Sequence, residues 1–106
     1  MSGDVLVQLS NVIRERSNST GDSSYTRQLL DGGVERCAKK FGEEAVEMII
    51  AAMGQSDEDL GNEAADVLYH LLVLLQVRGV RLEDVLSVLE KRTGRSGLEE
   101  KASRGS

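Results

Sequence analysis

The sequence predicts an all-α fold: a helical bundle of about four to five helices per chain, completed as a homodimer. Three observations carry this expectation. None of the 106 residues is proline, and proline is the residue that removes a helix donor and clashes with the preceding turn. Apolar residues recur at helical spacing through most of the chain. Glycines or short polar clusters fall where each periodic stretch stops.

Taken in order, residues 4–16 form the first predicted helix, with a stripe of Val5, Leu6, Leu9, Val12 and Ile13 and with Asp4 as its cap. Residues 17–24 read as a polar loop. Residues 25–30 make one or two helical turns, closed by Asp31, Gly32 and Gly33; Tyr25 and Thr26, following the loop, could close over a ligand, though nothing in the sequence requires it. A long helix follows over 34–53, striped by Val34, Cys37, Ala38, Phe41, Ala45, Met48, Ile49 and Ala52, with Gly54 as its stop. Ser56 with Asp59 resembles a capping box and opens a fourth helix over 57–78. Its stripe is Leu60, Ala64, Val67, Leu71 and Leu74, and Gly79 ends it. A fifth helix covers 82–92 through Leu82, Val85, Leu86 and Leu89. One domain over 1–92 is expected, and 93–106 reads as a mobile tail.

The homodimer is inferred from the fourth helix. Leu68, Leu72, Val73, Leu75 and Val77 spread apolar surface around much of its second half. A helix apolar on most sides must be covered on most sides, and a short chain has few helices to do it.

Composition narrows the function. The net charge of −5 argues against nucleic acid, whose backbone calls for a basic surface. No leader pattern opens the chain, and the most apolar run, 67–77, is too short to span a bilayer. The single Cys37 has no internal partner and reads as a small buried residue. A cytoplasmic protein without a membrane partner is expected.

The chemistry lies in two pairs of carboxylates. Glu44 and Glu47 form E-x-x-E on the third helix; Glu63 and Asp66 form E-x-x-D on the fourth. Residues three apart lie roughly 60° apart around a helix, so each pair projects from one side. In an antiparallel hairpin centred on Gln55, Glu47 and Glu63 each lie eight residues from the centre, and Glu44 and Asp66 eleven. Each pairing therefore shares one level. Glu63 falls inside an apolar stripe and Glu44 borders one, where a carboxylate is costly unless neutralised. Four converging carboxylates raise one another's pKa, and a divalent cation removes that conflict. Carboxylate oxygens suit Mg²⁺, with Mn²⁺ as substitute. Each acid taken singly has the alternative of an exposed helix carboxylate, which is the better reading for Glu43, Glu58, Asp59, Glu83 and Glu90.

Mg²⁺ commonly joins protein carboxylates to substrate phosphates, which reconciles an acidic chain with a polyanionic ligand. Arg36 and Lys40 precede Glu44 by two helical turns and one, placed either to take phosphate oxygens or to pair along the helix surface. His70, one turn after Asp66, is either a site residue touching substrate or a packed core histidine. No P-loop and no nucleophile–base triad is present in the sequence.

The string from Lys39 to Glu47, K-K-F-G-E-E-A-V-E, resembles the core motif of the phosphoribosyl-ATP pyrophosphatase family. Residues 63–75, E-A-A-D-V-L-Y-H-L-L-V-L-L, then Arg78-Gly79-Val80, and Ser24-Tyr25-Thr26 match as well. E-x-x-E with E-x-x-D alone marks only the wider all-α NTP pyrophosphatase superfamily; the longer strings are more specific. The resemblance implies Mg²⁺-dependent hydrolysis of phosphoribosyl-ATP to phosphoribosyl-AMP and pyrophosphate, the second step of histidine biosynthesis, in a homodimer. It implies metal ligands at Glu44, Glu47, Glu63 and Asp66.

On this reading Glu47 is the candidate to orient or deprotonate the attacking water. Arg36, Lys39, Lys40 and His70 are the candidates to bind the nucleotide, with Arg27 a further cation ahead of the carboxylates. Two rivals stand beside it. One is a housekeeping pyrophosphatase acting on non-standard (d)NTPs. The other is a non-catalytic helical dimerisation module, which has no use for a carboxylate on a core-facing line.

Overall fold

A computed structural model describes residues 2–19 and 24–93. The described chain is five helices: α1 Ser2–Asn18, α2 Tyr25–Asp31, α3 Gly33–Gly54, α4 Asp57–Arg78 and α5 Leu82–Thr93. No strand occurs among the described residues. The expected tail lies outside them beyond Thr93, which instead closes α5. Residues 20–23 of the expected polar loop also lie outside.

The hairpin of α3 and α4 dominates the packing, with α1 and α2 laid against it. Its turn is short because both ends are capped locally. The Gln55 amide donates to the Ala51 carbonyl at 3.0 Å. The Ser56 hydroxyl accepts from the Asp59 amide at 3.1 Å, the serine half of the expected box. Asp57, Glu58 and Asp59 crowd the first turn of α4, the positive end of its dipole. The helix stops at Gly79, whose left-handed φ of +74° a side chain would strain. There the Val80 amide returns to the Leu75 carbonyl at 2.9 Å, a Schellman closure.

Arg27 ties the first half of the chain together. Its Nη1 donates to the carbonyls of Arg16, Ser17 and Ser19 at 3.1, 3.1 and 2.6 Å. Its Nε donates to the Asp31 carboxylate at 3.0 Å. One guanidinium thus satisfies carbonyls left over at the end of α1 and fixes where α2 begins. Gln76 of α4 adds a bond to the Ser17 hydroxyl at 3.2 Å.

The core is Ile13, Leu29, Cys37, Leu72, Val73 and Leu82. Several expectations need correction here. α1 begins at Ser2, so Asp4 lies inside it. Val5 and Val12 of its expected stripe are exposed. On α3, Val34 and Ile49 face outward while Ala51, outside the expected stripe, is buried. On α4 the most buried residues are His70, Leu72 and Val73, and Leu60, Ala64, Val67, Leu71 and Leu74 are only partly covered. The physical reason is that α4 packs against α3, α2 and α1, so no single stripe describes its burial. This also changes where bare apolar surface lies. Leu72 and Val73 are buried within the chain, and Leu75 and Val77 pack on the core. The uncovered line runs along α3, through Val46, Ile49, Ile50 and Met53, the last 83% exposed. No helix among the described residues is long and apolar enough to cross a membrane.

Candidate active site and metal centre

The hairpin register sets the site. Glu44, Glu63 and Asp66 each place a carboxylate oxygen within 4.8 Å of those of the other two. Glu47 does not join that trio, but it lies close enough to act electrostatically on both Glu44 and Glu63. Three of the four expected acids therefore converge, Glu44 with both Glu63 and Asp66, while Glu47 stays beside them.

Their environments differ from the expected order. Glu44, placed at the border of a stripe, is the most buried, at 9% exposure. Glu63 is partly buried, while Glu47 and Asp66 are exposed. Burial pushes the Glu44 carboxyl above its usual range, and Glu47 pushes it further by repulsion and a hydrogen bond; His70 and Lys40 oppose. Glu63 is likewise raised, first by desolvation, then by Glu47, Asp66 and Asp59. Its Oε2 is buried without a hydrogen-bond partner. A buried carboxylate oxygen with no donor is an unstable arrangement. An ion with affinity for hard oxygen ligands relieves it, and the donor set, all carboxylate, fits Mg²⁺ or Mn²⁺ rather than zinc.

The surrounding cations divide. Lys40 lies at the cluster, with Nζ 3.4 Å from Glu43 Oε1 and 3.9 Å from Glu44 Oε2. Its pKa is raised, chiefly by the nearby Tyr25 hydroxyl and then by these acids, against some desolvation. Glu43 is exposed and paired with Lys40, away from the trio. Arg36 and Lys39 are exposed on α3. The stem of Arg36 lies over Gly32, so closely that a Cβ there would meet its Cδ at 2.2 Å. Arg27 is not available as a substrate cation: the α1 carbonyls and Asp31 hold it.

His70 is buried and doubly bonded. Its Nδ1 is 2.8 Å from the Asp66 carbonyl oxygen, and its Nε2 is 3.1 Å from the Tyr25 hydroxyl. The carbonyl only accepts, so Nδ1 carries the proton and, in the neutral ring, Nε2 accepts from Tyr25. Next to this contact, the Thr26 hydroxyl bonds the Tyr69 hydroxyl. The Tyr25 and Tyr69 rings stack with centroids 6.2 Å apart. Consecutive residues of α2 thus grip consecutive residues of α4. Sequence reasoning placed Tyr25 and Thr26 after a loop, able to close over a ligand, and did not pair them with α4; the usable signal was a Tyr-Thr pair opening a short helix, opposite Tyr69-His70. A separate hollow of about 540 Å³ on α5, lined by Glu83, Leu86, Ser87, Leu89, Glu90 and Thr93, contains none of these groups.

A helical hairpin that brings E-x-x-E and E-x-x-D carboxylates together defines the class: an all-α protein whose candidate site is an acidic metal centre. Residues 6–93 match the model of the phosphoribosyl-ATP pyrophosphohydrolase family. The chain is 57% identical to the phosphoribosyl-ATP pyrophosphatase 1 of Rhodopseudomonas palustris, over 98% of this chain and 97% of that protein. It is 58% identical to that of Bradyrhizobium diazoefficiens over 91% of each. Identity to the phosphoribosyl-ATP pyrophosphatase of Agrobacterium fabrum is 50%, over 98% and 97%. The chain belongs to the phosphoribosyl-ATP pyrophosphohydrolase family.

Proposed function

We infer that this chain hydrolyses phosphoribosyl-ATP to phosphoribosyl-AMP and pyrophosphate, the second step of histidine biosynthesis. Family membership supplies the substrate. The observation that supports chemistry at this site is the convergence of Glu44, Glu63 and Asp66 within 4.8 Å, with an unpartnered buried oxygen on Glu63.

Glu44, Glu47, Glu63 and Asp66 would hold Mg²⁺, with Mn²⁺ as substitute. When bound, the ion draws the polyphosphate to an acidic protein and polarises the anhydride to be cleaved. The remaining work falls to side chains. Glu47, exposed yet close to Glu44 and Glu63, orients the attacking water and accepts its proton. As water oxygen bonds to phosphorus, the phosphoanhydride P–O bond breaks and pyrophosphate separates from phosphoribosyl-AMP. Lys40 takes phosphate oxygens beside the acids, and exposed Arg36 and Lys39 face the more distant phosphate. His70, closed on Asp66 and Tyr25, forms the wall of the site next to the carboxylates.

A homodimer belongs to the same proposal. Val46, Ile49, Ile50 and Met53 recur at helical spacing on α3, and all four are more than half exposed. A line of this kind on a chain of 11.5 kDa suits an isologous interface with a second copy. The radius of gyration, 16.3 Å, exceeds the about 13 Å of a compact domain of this length, as for a protomer that packs further on assembly.

The test is product analysis. Purified protein with phosphoribosyl-ATP and Mg²⁺ is followed by ³¹P NMR. The pyrophosphate resonance should grow, without orthophosphate, and excess EDTA should stop it. Orthophosphate as the first product, or turnover unaffected by EDTA, contradicts the reading.

A further inference from the structure

Lys40 and His70 are each fifteen residues from Gln55, so the hairpin register puts them at one level. That level lies one turn beyond Glu44 and Asp66. α2 brings Tyr25 to the same place, with its hydroxyl on His70 Nε2 at 3.1 Å and within electrostatic reach of Lys40. Three helices thus meet beside the carboxylates, with Lys40 and Tyr25 as donors and His70 accepting from Tyr25. Within α2, Thr26 and Leu29 are buried, whereas Tyr25 is 46% exposed. The stack on Tyr69 holds its ring, and its hydroxyl is bonded to His70.

Arg27 is committed to carbonyls of residues 16, 17 and 19, Arg14 and Arg81 to Glu83, and Lys40 is shared with Glu43 and Glu44. Exposed Arg36 and Lys39 remain for the more distant phosphate, and beside the shared Lys40 a neutral donor can take part of the contact. A tyrosine hydroxyl has one proton to give and can redirect it by rotating about its C–O bond. Given to a phosphate oxygen, that proton makes a charge-assisted bond stronger than the neutral one to histidine.

We propose that Tyr25 is a substrate-contacting residue: its hydroxyl turns from His70 to donate to a non-bridging phosphate oxygen of the bound polyphosphate, beside Lys40. This rests on the pyrophosphohydrolase reading. Tyr25 then acts directly on the ligand, and the bond to His70 is its resting position.

The test is Tyr25→Phe, which keeps the ring and its stack and removes only the hydroxyl. Two quantities are measured: kcat/KM for phosphoribosyl-ATP, and calorimetric affinity for inorganic pyrophosphate in the presence of Mg²⁺. Both should fall on the order of tenfold to a hundredfold, as for loss of one hydrogen bond to a charged group. Repeating the substitution in a His70→Gln background separates a direct role from one relayed through His70. A direct contact still costs at least several-fold when His70 is absent, even though the two neighbours couple. If the loss vanishes when His70 is absent, or if Tyr25→Phe binds pyrophosphate as wild type does, the proposal is overturned. A wild-type protein that releases no pyrophosphate overturns the underlying reading instead; an active wild type with an equally active Tyr25→Phe overturns this inference alone.

Discussion

Glu44 of α3 and Glu63 of α4 present carboxylate oxygens within 4.8 Å of each other across the hairpin. Both carboxyls are pushed above their ordinary pKa, desolvation first. Helix packing alone gives no reason to pair two acids there. Glu63→Gln keeps the shape and removes one charge. Turnover should fall by at least about a hundredfold, the scale for loss of a key electrostatic group. The fold should survive, since repulsion within the metal-free cluster is relieved. The rise in melting temperature that Mg²⁺ produces in wild type should shrink or vanish. Glu90→Gln, on exposed α5, is the control and should change neither readout.

The same two carboxyls set a pH dependence. A carboxyl whose folded pKa is raised binds its proton more tightly in the folded state. Its favourable contribution is fully present below the ordinary value of 4.5. It is lost as pH rises through the raised folded value. In chelator, the melting temperature should therefore climb as pH is lowered from neutrality toward 5. Saturating Mg²⁺ should flatten that slope, because the ion takes over neutralisation. Equal slopes with and without metal would count against the cluster as a cation site.

Arg27 tests the architecture rather than the chemistry. Its guanidinium donates to three carbonyls and one carboxylate. Arg27→Ala should cost about 2 kcal/mol in urea unfolding, given partial exposure and hydrogen bonds from a charged donor. Arg27→Lys should recover only part, because an ammonium cannot match the planar fork. An unchanged midpoint in Arg27→Ala would show that the α1–α2 junction is held by packing alone.

Much of this was legible in the sequence because the signals are local. Gly54, Ser56 and Gly79 mark chain reversals through capping chemistry, and α3, α4 and α5 match their expected spans within about a residue or two. The levels of Glu44 with Asp66 and Glu47 with Glu63 follow from helical rise once the hairpin is assumed. Burial was less legible. Periodicity reports one apolar stripe, but α4 touches three helices, so His70, Leu72 and Val73 outrank the expected stripe. Arg27 read as a free cation because nothing in the sequence shows carbonyls eight to eleven residues away turning toward it. The bond from Tyr25 to His70 spans forty-five residues, beyond any local pattern.

The uncovered line on α3 predicts assembly. Sedimentation equilibrium at micromolar concentration should report about twice the 11.5 kDa chain mass. Ile50→Lys, placing a charge in that line, should shift the mass toward one chain, since an isologous contact is disturbed twice. A wild-type monomer, or an Ile50→Lys dimer of unchanged stability, would remove this face from the account.

The central claim concerns the substrate, and a direct comparison of kcat/KM tests it. The carboxylate cluster recognises a metal–polyphosphate and does not by itself tell nucleotides apart. Phosphoribosyl-ATP carries a second ribose with its own phosphate, and exposed Arg36 and Lys39 lie on α3 ahead of the acids. Binding of a remote phosphate can be used to position the anhydride that breaks. Two charge-assisted contacts, at about 1.5–3 kcal/mol each, correspond to about a hundredfold to ten-thousandfold preference. The measurement is pyrophosphate release from phosphoribosyl-ATP, ATP, dUTP and dCTP under one set of conditions. The account predicts phosphoribosyl-ATP ahead by that margin; a higher kcat/KM for any of the free triphosphates would contradict it.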